Sequence, residues 1–551
     1  MSHLDESGWA RRIFSYMPLI PCLRALVLNR TYATCLQYHA DKHTKTCMCT
    51  PRTTTDIFDG LHYCLLLGEC IVVRDQTLTH HYFSDHCDIA LGFATNGFAP
   101  FKKWKHTVWI LLIFNYNLPP DECFQRDNIL CVGIIPGPKK PWNADLFIHL
   151  LVWELLKLAI GVPTYDALSS HCFALHAYLI TAFGDIPAVS MIMHMKGHNS
   201  LCPCRMCEIW GICIPNLRNR TLYVLLSRCN HPKPTDVVKY HLERLPLCSH
   251  DSFMAQANTV ESVPTEVQRE KLAKAYGIKG VPLLSALRSL RFPQSFPYDF
   301  MHLIWENLIP NLVLFWSGHY KGMDEGQPYI LNTDIWQVVG ATSAEAMKTM
   351  PSSFGVAIPN PVKDCSYFTS STWSVRSLFI APTVLQNRFP EECYYKHFCS
   401  LVGILNLCLQ FKISKKDIDD IKLGICKWVV NYEQCVPPPL SFPKSWMLIQ
   451  SIHPASTTSM TPNDSQHAHS QYTPPSTFLT KSDGWVHVGQ HGLSPLRGNA
   501  GTSNAASRVD ETCTWTWTNT LLTCHSFARS KFYTTLLMSS LESLPSIPLC
   551  K

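Results

Sequence analysis

A chain of 551 residues, 46% of them apolar and 16% charged, is long enough for two to four domains and too apolar to be a solvated polymer from end to end. Its net charge of +6 is compatible with a polyanionic partner but does not require one, because dedicated nucleic-acid domains are usually more basic. The 25 cysteines are scattered rather than set in a small disulfide framework, and Met1 to Ser7 has neither the basic nor the apolar part of a secretory signal, so free thiols in a reducing, intracellular compartment with one metal site are expected.

In chain order, residues 1–87 combine a basic, helix-compatible start (Arg11, Arg12, Arg24, Arg30) with a Thr- and Cys-rich loop. Three continuous apolar runs follow, 89–95, 108–114 and 129–135, as expected of strands covered on both faces. Pro136 and Pro138 end the third. Asn143 or Asp145 can then cap a helix over 146–160, with Phe147, Leu150, Leu151, Leu155 and Leu158 at helical spacing and Gly161 as its stop. His149, Glu154 and Lys157 interrupt this run, so no transmembrane segment is predicted.

Residues 173–183 read as a fourth strand ending just before Asp185, and residues 298–316 as a long apolar helix carrying Asp299, His302 and Glu306. Residues 375–432 read as helical, with an apolar surface of Leu401, Ile404, Leu405, Leu407, Leu409 and Phe411. From Val436 the chain becomes rich in Ser, Thr, Pro and His and is expected to be disordered. The expected plan is an N-terminal region 1–87, a core 88–330, a helical part 331–435 and a tail 436–551.

A carboxylate just past a buried strand is a common place for chemistry in α/β folds. Asp185 also suits a helix N-cap ahead of Pro187, and the two roles are compatible. His198, Cys202, Cys204 and Cys207 can form a zinc site, or half of one completed by Cys213, Cys229 or His231; a buried thiol cluster is the competing reading. Asp299 is an N-cap candidate, Glu306 can point inward from its helix, and His302 one turn away can support the site or be core, core being the favoured reading. Lys102, Lys103, Trp104 and Lys105, between the first two strands, can contact DNA phosphates with a stacked ring or form a solvated hairpin tip. No phosphate-binding glycine loop and no Ser/His/Asp nucleophile signature appears.

The order strand, strand, strand, helix, strand, helix is that of an α/β ribonuclease H-like core, in which clustered carboxylates hold two divalent cations for phosphodiester chemistry. The blocks Asp85-His-Cys-Asp-Ile-Ala-Leu-Gly92, Gly97-Phe-Ala-Pro-Phe101, Phe114-Asn-Tyr-Asn-Leu-Pro-Pro120, Pro136-Gly-Pro-Lys-Lys-Pro141, Phe183-Gly-Asp-Ile-Pro-Ala188, Lys196-Gly-His-Asn199 and Asp299-Phe-Met-His-Leu-Ile-Trp-Glu-Asn307 resemble the CACTA (En/Spm) transposases, and most of all their branch in mushroom-forming, basidiomycete fungi. The resemblance runs from about Arg12 to Glu433.

It implies a nuclear DDE/D transposase that cuts and rejoins transposon-end DNA with Mg²⁺ or Mn²⁺, has no membrane association and can form homo-oligomers. It also implies a catalytic set of the residue at position 96, Asp185, and Glu306 or Asp299. The family usually has aspartate where this chain has Asn96, which predicts impaired strand transfer. Asp88, about 26 Å back along an extended strand, offers no replacement. The alternatives are a non-catalytic DNA-binding or interaction protein and a degenerate transposon remnant. Such proteins also generally carry a further N-terminal region upstream of Arg12.

Overall fold

The computed structural model describes residues 14–47, 53–98, 107–137, 140–197, 200–213, 222–224, 226–227, 239–320, 326–346, 348–351 and 358–435. Lys102, Lys103, Trp104, Lys105 and His198, with the tail 436–551, lie outside the described residues.

The apolar runs form one mixed sheet. Strands β1 (Ile89–Phe98), β2 (Val108–Asn115) and β3 (Leu130–Pro136) are successive antiparallel neighbours, and β4 (Ala177–Phe183) returns parallel to β1 on its other side. The two-residue strand Ser15–Tyr16 extends the far edge beside β3, giving the order edge strand, β3, β2, β1, β4. All seven residues of β4 and the first seven of β1 are buried, which is why these strands carry unbroken apolar sequence instead of alternation.

Helix α1 (Asp145–Ile160) makes the crossover to the parallel strand. Its 16 residues span roughly 24 Å, enough to run back along the sheet. Ile148, Leu151, Val152, Leu155 and Leu158 form its buried stripe, and Asn143 accepts the Asp145 N–H at 2.9 Å. Glu154 departs from a simple amphipathic reading, since it is buried among these residues. Its carboxylate accepts from the Tyr16 hydroxyl and from the Leu19 and Ile20 N–H groups at 2.7 and 3.1 Å. The helix Leu19–Leu28 follows Pro18 and has no side-chain cap of its own, so Glu154 satisfies its free N–H groups across the fold.

Three elements differ from the sequence expectation. The run 173–183 divides at His176: His171–Leu175 pairs back on Val162–Asp166 as a hairpin, and only then does β4 begin. The division follows from His176, whose backbone O accepts from Ile89 N at 3.0 Å and whose Nδ1 lies 3.2 Å from the buried Asp88. Asp88 thus pins the start of β4, at the opposite end of β1 from Asn96.

The helix expected over 298–316 begins at Met301 and has π pitch to Leu308 before becoming α-helical from Ile309 to Trp316. Pro310 explains the wide stretch, because it lacks an N–H and its ring clashes with the carbonyl four residues back. The region 375–432 is also divided, into a π segment Arg376–Ile380, the short helix Ala381–Val384 and two long helices, Glu392–Cys408 and Lys415–Cys435. Ile413–Ser414 lies between the long helices as a strand paired with Thr53–Thr54, and Phe411 is 49% exposed instead of part of the apolar face. Trp305, Trp316, Phe398 and Trp428 anchor a second core in this helical half. Among the described residues no helix is long and apolar enough to cross a membrane.

Candidate metal centre

Register brings the first two candidates together. Phe183 of β4 is the partner of Ala94 in β1, and two residues further along each strand stand Asp185 and Asn96. Gly184 makes this approach possible: its φ is +155°, and a Cβ there would lie 2.5 Å from the Thr95 carbonyl oxygen. A side chain at 184 would therefore force the two strand ends apart. Asn96 itself is half-buried at the end of β1.

Asp185 is the N-cap of α2 (Ile186–Ile192), accepting the Ala188 N–H at 2.6 Å. The cap fixes the direction of the carboxylate, and Pro187 in the first turn has no N–H to satisfy.

The segment leading to residue 298 runs along β4 and delivers the remaining groups. Ser289 Oγ donates to Leu179 O at 2.6 Å, and Ala182 N donates to Ser295 O at 2.8 Å. Asp299 follows and accepts the His302 N–H at 3.1 Å, so it too acts as a cap. His302 lies between two carboxylates, its Nδ1 3.3 Å from Asp299 and its Nε2 3.7 Å from Glu306. These are charge contacts rather than aligned hydrogen bonds. His302, read from the sequence as core or as support for the site, is both largely buried and placed beside the acidic group by the i, i+3 and i+4 spacing of Asp299, His302 and Glu306.

The electrostatics treat these side chains as one cluster. Burial raises the Asp185 carboxyl above its ordinary value, the Ala188 N–H and His302 oppose that rise, and Asp299 adds to it. Glu306 is likewise raised by burial and by Asp299 and Asp185, with His302 acting against them. For His302, burial disfavours the cation, yet Asp299, Glu306 and Asp185 outweigh it and bring its pKa up to about 9. The side chains of Asp299, His302 and Glu306 are 18%, 14% and 34% exposed, so Glu306 is the most open. Burial and mutual repulsion thus raise Asp185 and Glu306, with His302 as the partner that opposes the rise, although the ligand atoms of Asp185, Asp299 and Glu306 do not all come within 4.8 Å of one another.

The Cys204–Cys207 turn is tied to the same segment. Burial raises the Cys204 thiol, but hydrogen bonding to Cys207 and the Met206 and Cys207 backbone outweighs it and brings the pKa down to about 7. Cys207 bridges to Leu247, and Cys248 N donates to Met206 O at 3.0 Å, which sets Cys248 beside the turn. Sequence spacing offered no signal for Cys248, because a β-bridge brings it there. Cys202 is buried next to them. Between the two cysteines of the turn, Arg205 is buried with its guanidinium 3.7 Å over the Tyr298 ring and donates to Pro297 O at 2.7 Å. The turn thus braces the residue that precedes Asp299.

Elsewhere, Asp85, His86 and Cys87 bring ligand atoms within 4.8 Å of one another. Their proximity follows from a turn in which Asp85 accepts the Cys87 N–H at 2.9 Å.

Residues 73–231 match a family model described as transposase family tnp2. The match spans β1 to β4, Asp185 and the Cys204–Cys207 turn, and it supports a transposase-like function; Asp299 and Glu306 lie beyond it. No curated protein matches the chain.

Proposed function

We propose that the chain is a DDE/D-type transposase polypeptide of the CACTA class, from the fungal branch it resembles, acting on transposon-end DNA in the nucleus. One observation carries the reading. Asp185, at the end of a buried strand parallel to its neighbour, lies within electrostatic reach of Asp299, His302 and Glu306 from a segment far down the chain. The strand order β3, β2, β1, β4 with β4 parallel to β1 is that expected of a ribonuclease H-like core.

Asp185, Asp299, Glu306 and the amide oxygen of Asn96 are the groups that would hold Mg²⁺ or Mn²⁺. Bound there, such an ion supplies Lewis-acid stabilisation of a phosphodiester and an activated water. The protein's own part is positional: α2 aims Asp185, and the π-helical turn spaces Asp299, His302 and Glu306 on one side. Asn96 contributes a neutral acceptor where a carboxylate would add charge, so the chain is read as impaired in cleavage and strand transfer. A non-catalytic DNA-binding role is the second reading, favoured by Asn96 alone. A structural Zn²⁺ on Cys204 and Cys207, with Cys248 beside them and His198 as a further ligand, belongs to the first reading.

The test is nicking of transposon-end DNA with Mn²⁺ by the wild-type chain, Asn96→Asp and Asn96→Asp/Asp185→Asn. Cleavage gained in the first variant and lost in the second supports the reading. Activity in the double variant equal to that of Asn96→Asp removes Asp185 from the chemistry.

A further inference from the structure

Three chain segments converge about one short helix away from the carboxylates. Asp145, at the start of α1, lies 2.8 Å from His194, which follows α2. Lys279 N donates to His194 O at 2.6 Å, Lys196 N donates to Gly277 O at 2.8 Å, and Met195 bridges to Ile278. Lys196 and Lys279 therefore flank one bridge, with Lys140 on the loop that enters α1. Two carboxylates offset part of this charge: Glu270 pairs with Lys196, so a phosphate there must share or displace it, and Asp145 faces His194 and also acts on Lys279. Burial, Lys140 and Lys196 together depress Lys279, with Asp145 acting against them.

Trp142 stands in the same loop and is 95% exposed. Its position is not slack: Pro141 and Ala144 on either side are buried, and Asn143 caps the following turn. An indole held in water by anchored neighbours beside three lysines has the two features of a nucleic-acid contact, a stacking face and phosphate-binding charge.

We propose that Trp142, Lys140, Lys196 and Lys279 form a binding surface for DNA that presents an unpaired base, the lysines meeting the backbone and Trp142 stacking on the base. A continuous duplex has no free base face to offer, so the partner is a strand end or single-stranded flank. The 7 residues of α2 between Asp185 and His194 rise roughly 10 Å, or about three nucleotide steps at duplex spacing. The surface thus takes DNA flanking the phosphate at the carboxylates, and in this it rests on the phosphodiester reading of that site.

The test uses the full chain in EDTA, with a fluorescent blunt duplex and the same duplex carrying a single-stranded overhang. Trp142→Ala should weaken overhang binding about tenfold and leave blunt-duplex binding within about twofold. Lys140→Gln/Lys279→Gln should weaken both and reduce the salt slope by about two. All four positions are exposed or half-buried, and unchanged thermal melting would confirm intact folding. Overhang binding by Trp142→Ala equal to wild type overturns the proposal, as does a change in oligomeric state without a change in DNA affinity. Mn²⁺ calorimetry on wild type and Asp185→Asn judges the carboxylate site separately: metal binding lost in Asp185→Asn but DNA binding unaffected by Trp142→Ala would sink this inference and leave that reading standing.

Discussion

Asn96 and Asp185 stand side by side at the ends of two parallel strands, because Ala94 and Phe183 are partners in the ladder and Gly184 lets the chains approach. An amide and a carboxylate are thus presented where two carboxylates would hold a cation more tightly. Converting Asn96 to Asp should strengthen Mn²⁺ binding by on the order of tenfold or more, since charge count is a main determinant of affinity for hard cations. Isothermal calorimetry on the two proteins decides it; identical affinities would separate Asn96 from the metal.

Asp185 has two roles that different substitutions can separate. Asp185→Asn keeps an oxygen for the Ala188 N–H and should retain stability while losing metal affinity. Asp185→Ala loses the cap as well and should cost about 1 kcal/mol. Urea denaturation beside metal titration reads both effects, and equal stability of the two variants would remove the cap from the account.

Glu154 is a stability residue remote from the chemistry. Glu154→Ala leaves the Leu19 and Ile20 N–H groups and the Tyr16 hydroxyl without their buried acceptor. We expect a loss of about 3 kcal/mol, measured by chemical denaturation. A loss under about 0.5 kcal/mol would mean that water replaces the carboxylate easily.

His62 gives stability an acid limb. Burial pushes its pKa down to about 4, although its ring nitrogen lies 2.9 Å from Ser289 O and 3.1 Å from Ser295 Oγ. The unfolded chain therefore binds more protons between pH 6.5 and 4 than the folded one. Stability is complete above the unfolded pKa and falls as pH drops through that window, by about 3 kcal/mol in total. Denaturation midpoints at pH 7 and 4.5 should differ less in His62→Gln; an unchanged pH slope in that variant would refute the assignment.

The Cys204–Cys207 turn should carry zinc in the purified protein. Metal analysis is expected to find about one Zn²⁺ per chain, reduced in Cys207→Ser and in Cys248→Ser. Full zinc content in Cys248→Ser would exclude that thiol as a ligand.

Strands were the most legible elements, because a sheet covered on both faces requires continuous apolar runs: 89–95 and 108–114 fall inside β1 and β2, and 129–135 matches β3 to within one residue. The boundary at His176 was hidden, since its cause is a contact with Asp88 far back in the chain. The π stretch was equally hidden although Pro310 stood in plain view, because a helix can answer a proline by kinking, ending or widening. Within the candidate site, residue type and position suggested the caps at Asp185 and Asp299, but not the electrostatic coupling that joins them to Glu306. For His302 both readings hold in part: it is largely buried, as an apolar helix face suggests, and it also stands between Asp299 and Glu306, which the sequence spacing allowed.

Local order and composition by themselves determined the strand runs, the crossover helix, the caps at Asp185 and Asp299, and the neutral residue at 96, for each depends on neighbours within one turn or on side-chain chemistry alone. Tertiary structure decided which of these residues meet. The parallel register sets Asn96 against Asp185, the 289–297 segment along β4 brings Asp299 and Glu306 within electrostatic reach of Asp185, and a β-bridge adds Cys248 to the Cys turn. Those meetings depend on long-range backbone hydrogen bonds, and backbone groups are the part of the chain that every sequence shares.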